Sequence, residues 1–78
     1  MTAKELEEGM RALLDEALAV TLGEIDEDGM TMPTELESLI RVSTFEEEGV
    51  LSGDPGIVLR FNRDGRVAEF QVSIVRSK

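Results

Sequence analysis

Carboxylates are the side chains in this sequence best suited to chemistry, and many of them stand in two clusters. A carboxylate can bind a cation, transfer a proton when held beside a second one, or contact a basic surface. With 17 acids in 78 residues, pairs arise by chance, so pairing alone does not indicate catalysis. The two clusters are Glu24, Asp26, Glu27 and Asp28, and then Glu46, Glu47 and Glu48.

The composition argues against an enzyme. The chain has no histidine, the usual general base near neutral pH, and no cysteine for thiol catalysis or thiolate metal sites. A glycosidase-type pair of carboxylates needs a cleft with an apolar wall, which a 78-residue domain has little room to build. We therefore predict a non-enzymatic protein with no catalytic residues and no cofactor.

The first cluster lies in a segment that resembles the calcium loop of EF-hand proteins. Three features depart from that loop: its first position is Glu24, its eighth is Thr31, and its ninth, Met32, has no side-chain oxygen. EF-hand loops also come in pairs, and the rest of this chain is strand-like. We therefore interpret the segment as a solvated acidic loop, predict no metal site, and keep a single calcium module as an alternative. The residues that match the loop are Glu24, Asp26, Asp28, Gly29 and Glu35.

The charge is unevenly distributed and favours a basic partner. The net charge is −9; residues 1–50 carry a net −11 and residues 51–78 a net +2. Phosphate backbones would repel such a chain, and it has no tryptophan or tyrosine for base stacking, so direct nucleic-acid binding is not expected. We predict that both carboxylate clusters contact a basic surface of a nucleic-acid-handling protein by imitating phosphate charge. The alternative is that this charge serves solubility only.

The first predicted element is an amphipathic helix from Thr2 to Leu22. Its apolar residues recur at helical spacing, and Thr2 with Glu5 fits a capping box. Gly23 would end the helix, since glycine readily adopts the left-handed conformation that follows a helix.

Three strands are predicted after this helix. Residues 36–45 alternate as a strand does, although a short helix over residues 34–41 also fits their spacing. Residues 57–62 and 67–76 flank an Asp64-Gly65 turn, which is a strong hairpin signal.

These elements predict one α+β domain, with the N-terminal helix packed on a three-stranded antiparallel sheet that ends in a β-hairpin. We expect the helix to cover one face of the sheet. Apolar residues on the opposite face would then suit a homodimer formed through the sheet, which is the structural alternative to an electrostatic partner. The helix-covered face is predicted to hold Ile57, Leu59, Phe61, Ala68, Phe70, Val72 and Ile74, and the opposite face Leu39, Phe45, Val58 and Val75.

The second half of the chain resembles short proteins of phages and prophages. The segment STFEEEGVLSGD and the following tail GIVLRFNRDGRVAEFQVSIVRSK look like the ends of such proteins. Many of these are small, acidic, cysteine-poor inhibitors of host defence, of which the anti-CRISPR proteins are the best-known group. That group shares no single fold, so the resemblance assigns no residue. It implies an inhibitor that binds a nucleic-acid-handling protein. The absence of cysteine, and so of disulfides, favours the cytoplasm. The polar start and short apolar runs predict neither a signal peptide nor a membrane segment.

Overall fold

The computed structural model describes residues 1–21 and 33–77. A long helix is followed by a sheet in the order β1-β2-β3, in which both neighbouring pairs are antiparallel. The predicted α+β architecture is therefore confirmed. The elements are α1 (Ala3–Thr21), a 3₁₀ turn (Thr34–Leu36), β1 (Leu39–Thr44), α2 (Phe45–Glu48), β2 (Gly56–Arg63) and β3 (Arg66–Ser73).

Helix α1 begins where the sequence places its cap. The Glu5 N–H donates to Thr2 Oγ1 over 3.1 Å, which satisfies one backbone donor of the first turn. The Glu5 carboxylate accepts from the Thr2 hydroxyl over 3.3 Å. The predicted stop at Gly23 lies outside the described residues.

The segment before α2 contains a short helical turn followed by a strand, so both of the alternatives predicted for it are present in part. Pro33 stands immediately before the 3₁₀ turn, and β1 starts at Leu39, three residues later than predicted. The strand ends at Thr44 because the Thr44 side chain caps α2, so that Phe45 belongs to the helix. Local spacing alone cannot separate a single helical turn from the start of a strand.

The β2–β3 hairpin forms as predicted. Asp64 and Gly65 have φ angles of 53° and 79°, as a type I′ turn requires. The pairing then continues without a bulge from Arg63↔Arg66 to Gly56↔Ser73. This register places the apolar residues of the two strands side by side on one face.

The core lies under β1 and the first half of β2. Helix α1 packs mainly against β1 and less against β2. All of β3 is exposed, with Phe70 at 55% and Val72 at 37%, so the prediction that α1 covers this strand is wrong. A helix is about 10 Å wide and strands are about 4.8 Å apart, so one helix covers roughly two strands. The buried apolar residues are Leu18, Leu39, Val42, Phe45, Ile57, Val58 and Ile74.

The residues assigned to the face opposite the predicted core do not share one face: the irregular register between Leu39 and Arg41 pairs Leu39 with Phe61 on the predicted core face, and Phe45 belongs to α2. Leu39, Phe45 and Val58, which the sequence assigned to that face, are buried, whereas Val75 is 67% exposed. Within residues 1–21 and 33–77, no helix combines the length and the apolar character that crossing a bilayer would need.

Candidate protein-binding surface

The structure describes the second of the two predicted carboxylate clusters. Glu46, Glu47 and Glu48 form most of α2, immediately after β1. The first cluster, Glu24 to Asp28, lies outside the described residues, so its contact with a partner stays a prediction. The contact of Glu46, Glu47 and Glu48 with a partner also stays a prediction, but the structure shows what each of them contacts within the chain.

Glu47 joins α2 to α1. Its carboxylate accepts from Arg11 Nε over 3.0 Å and from Arg11 Nη2 over 2.8 Å, which is a bidentate pair. It also accepts from the Thr44 backbone N–H over 3.0 Å and completes a capping box. The hydrogen bonds from Arg11 first, and then the one from the Thr44 N–H, lower the pKa of Glu47. Arg11 additionally pairs with Asp15 one turn along α1.

Glu48 ties α2 to the sheet. Its side chain is only 16% exposed, and it accepts from Ser43 Oγ over 2.6 Å and from Arg60 Nη2 over 2.9 Å. The Ser43 hydrogen bond lowers the pKa of Glu48 most, and the positive charge of Arg60 lowers it further. Arg60 in turn donates to Glu69 on β3 over 2.9 Å. Arg60 therefore has two acidic partners, one on α2 and one on β3.

Glu46 is the most accessible member of the cluster. Its side chain is 82% exposed, and its one hydrogen bond among the described residues comes from Lys4 Nζ, 3.1 Å away. Hydrogen bonds to Glu7 and then Glu46 raise the pKa of Lys4 above its ordinary value. Of the three clustered carboxylates, Glu46 is thus the one that a partner can reach with the least rearrangement.

Glu7 is a buried carboxylate that the sequence analysis did not single out. It is 1% exposed and accepts from the Gly56 backbone N–H over 2.7 Å and from Lys4 Nζ over 2.8 Å. It therefore fastens α1 to the first residue of β2. A signal was present, because Glu7 shares the helix side of Met10, Leu14 and Leu18 and has a lysine three residues before it.

After this internal pairing, a surplus of negative charge remains on the surface. In the described ranges, Lys4, Arg11, Arg41 and Arg60 form ion pairs with acids. Glu5, Glu8 and Glu16 are exposed on one side of α1 by helical spacing. The acids that form no ion pair with a described base are Glu5, Glu8, Glu16, Glu35, Glu37, Asp54 and Asp64.

Of the five residues that match the EF-hand calcium loop, the structure describes only Glu35. Glu35 lies exposed in the 3₁₀ turn, and the other four matching residues fall in the part of the chain outside the description. Among the described residues, no group of three or more acids is arranged to hold a metal ion.

An apolar groove of about 530 Å³ lies over β2 and β3, on the part of the sheet that α1 leaves uncovered. Within it, the rings of Phe61 and Phe70 pack edge to face with centroids 5.6 Å apart. Both rings were predicted to be buried under α1, but Phe70 is 55% exposed. The groove is lined by Leu59, Phe61, Ala68, Phe70 and Val72, with Glu35, Ser38 and Arg63 at its margin.

Comparisons with protein-family models, with curated proteins and with solved structures found no match to this chain.

Proposed function

We propose that this protein is a non-enzymatic, cytoplasmic binding protein that blocks a basic, nucleic-acid-binding surface of another protein. The observation that carries the proposal is the negative charge left after internal pairing. Four described bases are engaged by acids of the same chain, while seven described acids form no ion pair with a described base. This surplus is available to a partner of opposite charge.

The exposed side of α1 is the described surface best suited to such a contact. Glu5, Glu8 and Glu16 project from a rigid helix, so a partner would meet fixed charges without first ordering a loop. Glu46 adds a further exposed carboxylate next to the N-terminal part of α1, through its contact with Lys4.

Glu47 and Glu48 support this surface in a second way. Their pairs with Arg11 and Arg60 hold α2 against α1 and the sheet, and so fix the position of Glu46. A partner arginine could still share their carboxylate oxygens, because each oxygen accepts more than one hydrogen bond.

The mechanism would be steric and electrostatic. Long-range attraction between the acidic protein and a basic groove accelerates association, and the bound domain then excludes nucleic acid from that groove. The resemblance of the second half of the chain to phage proteins supports an inhibitor of the anti-CRISPR kind, which would act at this basic groove of its target.

The proposal is tested by affinity capture from a bacterial lysate at low salt, with elution by a salt gradient and identification by mass spectrometry. We expect one nucleic-acid-binding protein or complex to be retained and to leave at moderate salt, because screening weakens exposed charge pairs.

A matched pair of variants assigns the contact to α1. Replacing Glu5, Glu8 and Glu16 with glutamine removes three charges and keeps good helix formers. Replacing Asp54 and Asp64 with asparagine removes exposed charges from loops instead. Loss of capture in the first variant only would support the proposal; retention that is unaffected by salt, or equal in both variants, would contradict it.

A further inference from the structure

We propose that β3 is the interface of a homodimer, in which β3 of one copy pairs antiparallel with β3 of a second copy. The two three-stranded sheets would then form one continuous six-stranded sheet. This inference is independent of the electrostatic partner proposed above.

Strand β3 is a weakly protected edge, whose charged side chains are Arg66 at its first residue and Glu69, which pairs with Arg60 of β2. Proteins usually protect an edge strand with a bulge, a proline, a lysine or a covering element. Edge strand β1 is covered by α1 and has an irregular register between Leu39 and Arg41. Strand β3 has eight regularly paired residues, no proline, no lysine and no buried side chain. Such a strand is suited to pair with another strand.

The backbone groups of β3 point alternately toward β2 and toward the free edge. The Ile74 N–H donates toward β2, to the Pro55 carbonyl over 2.8 Å. Because these groups alternate along a strand, those of Ala68, Phe70 and Val72 also point toward β2. The N–H and C=O groups that point to the free edge belong to Val67, Glu69, Gln71 and Ser73.

The charge of the hairpin leaves this edge accessible to a second copy. Two copies of a protein with net charge −9 repel each other over most of their surfaces. The β2–β3 hairpin, residues 56–73, carries three arginines against Asp64 and Glu69, which is a net +1. The hairpin is therefore a part of the protein where two copies can approach without acidic repulsion.

The proposed register has Phe70 at the two-fold axis. In that register Glu69 lies opposite Gln71 of the second copy, and their outward backbone groups form the hydrogen bonds of the new ladder. Shifting the axis by one residue to Glu69 would place two glutamates directly opposite each other, which is unfavourable. Phe70 would meet its own copy in a non-hydrogen-bonded pair, where side chains approach most closely.

Pairing in this register also addresses the exposed apolar face. Ala68 would lie opposite Val72 of the second copy, on the same face as the two Phe70 rings. The two grooves would join, and Phe70, which is now 55% exposed, would be enclosed between Phe61 of its own sheet and Phe70 of the second copy.

Single cysteines test the interface directly, because the chain has no cysteine of its own. In a non-hydrogen-bonded pair the Cα atoms are about 4.5 Å apart, within the range for a disulfide. We expect Phe70→Cys to form a covalent dimer under mild oxidation. Ala68→Cys is the matched control, since its two copies would be roughly 14 Å apart in this register, beyond disulfide reach.

Sedimentation of the unmodified protein provides a measurement that needs no variant. We expect a monomer–dimer equilibrium that shifts toward dimer as salt rises, because salt screens the repulsion between two acidic chains. The electrostatic partner should instead bind more weakly as salt rises, so the two proposals can fail separately. Gln71→Pro removes an outward N–H and should shift the equilibrium to monomer while the circular dichroism spectrum keeps its shape.

Three results would overturn the inference. One is a monomer at every salt concentration, combined with equal disulfide formation by Phe70→Cys and Ala68→Cys. Another is a preference of Ala68→Cys for the covalent dimer, which would exclude the register. The last is a dimer that a folded Gln71→Pro variant retains in full, which would place the interface elsewhere.

Discussion

The buried carboxylate of Glu7 provides the sharpest prediction for stability. Replacing Glu7 with alanine leaves the Gly56 N–H without its 2.7 Å acceptor in a site closed to water. A buried donor without a partner costs about 1–3 kcal/mol, and the lost side-chain packing adds to this. We therefore expect Glu7→Ala to lower the free energy of unfolding by about 3 kcal/mol.

That loss is large for a chain of this size. At about 0.05–0.15 kcal/mol per residue, the whole domain is stable by roughly 4–12 kcal/mol. A loss of about 3 kcal/mol corresponds to a decrease of roughly 12–24 °C in the melting temperature of a small domain. Glu7→Gln keeps an oxygen for the Gly56 N–H and loses only the charge opposite the half-exposed Lys4, so we expect it to cost about 1 kcal/mol.

Urea unfolding followed by circular dichroism measures these differences, since the chain has no tryptophan or tyrosine for fluorescence. Glu8→Ala is the matched control, because Glu8 is exposed on the same helix and should change stability by less than about 0.5 kcal/mol. Equal unfolding midpoints for Glu7→Ala and Glu8→Ala would contradict the role assigned to the Glu7 carboxylate.

Three further predictions concern pH, packing and calcium. The pKa values of Glu47 and Glu48 in the folded protein lie below the ordinary value of 4.5, so their contribution to stability is present above that pH and is lost as the pH falls through the folded-state values. The urea midpoint should therefore decrease from pH 6 down to pH 3. A constant midpoint over this range would contradict the prediction. Gly56→Ala should destabilise the fold by about 1–3 kcal/mol, because the new Cβ would overlap the Phe45 ring and the Val72 carbonyl, while Gly53→Ala, which meets nothing within 4 Å, should be tolerated. Millimolar calcium should leave the melting temperature unchanged, and a rise would instead favour the calcium module.

Local signals predicted the helix and the hairpin well. Helix α1 has a cap at Thr2 and a continuous apolar stripe, and the Asp64-Gly65 turn requires two positive φ angles that these residues adopt readily. Both features depend on residues close together in sequence, which is why spacing and residue type are sufficient to find them.

Tertiary contacts account for what the sequence analysis missed. The pairs of Glu47 with Arg11 and of Glu7 with Gly56 join residues 36 and 49 positions apart, and no local pattern announces them. The exposure of β3 depends on which strands a single helix covers, which the alternation of side chains does not determine. Residues 46–48 were predicted as a partner surface from their charge alone, whereas two of the three carboxylates also fasten α2 to its neighbours.

The measurement that tests the proposed function most directly is competition for the captured target. The target's binding to nucleic acid is titrated with this protein at low and at moderate salt, beside the variant in which Glu5, Glu8 and Glu16 are glutamine. We predict that one equivalent of the protein displaces nucleic acid at low salt, and that both added salt and the substitutions weaken this displacement. Undisturbed nucleic-acid binding, or displacement that neither salt nor the substitutions change, would contradict the proposal that an acidic surface blocks a basic one.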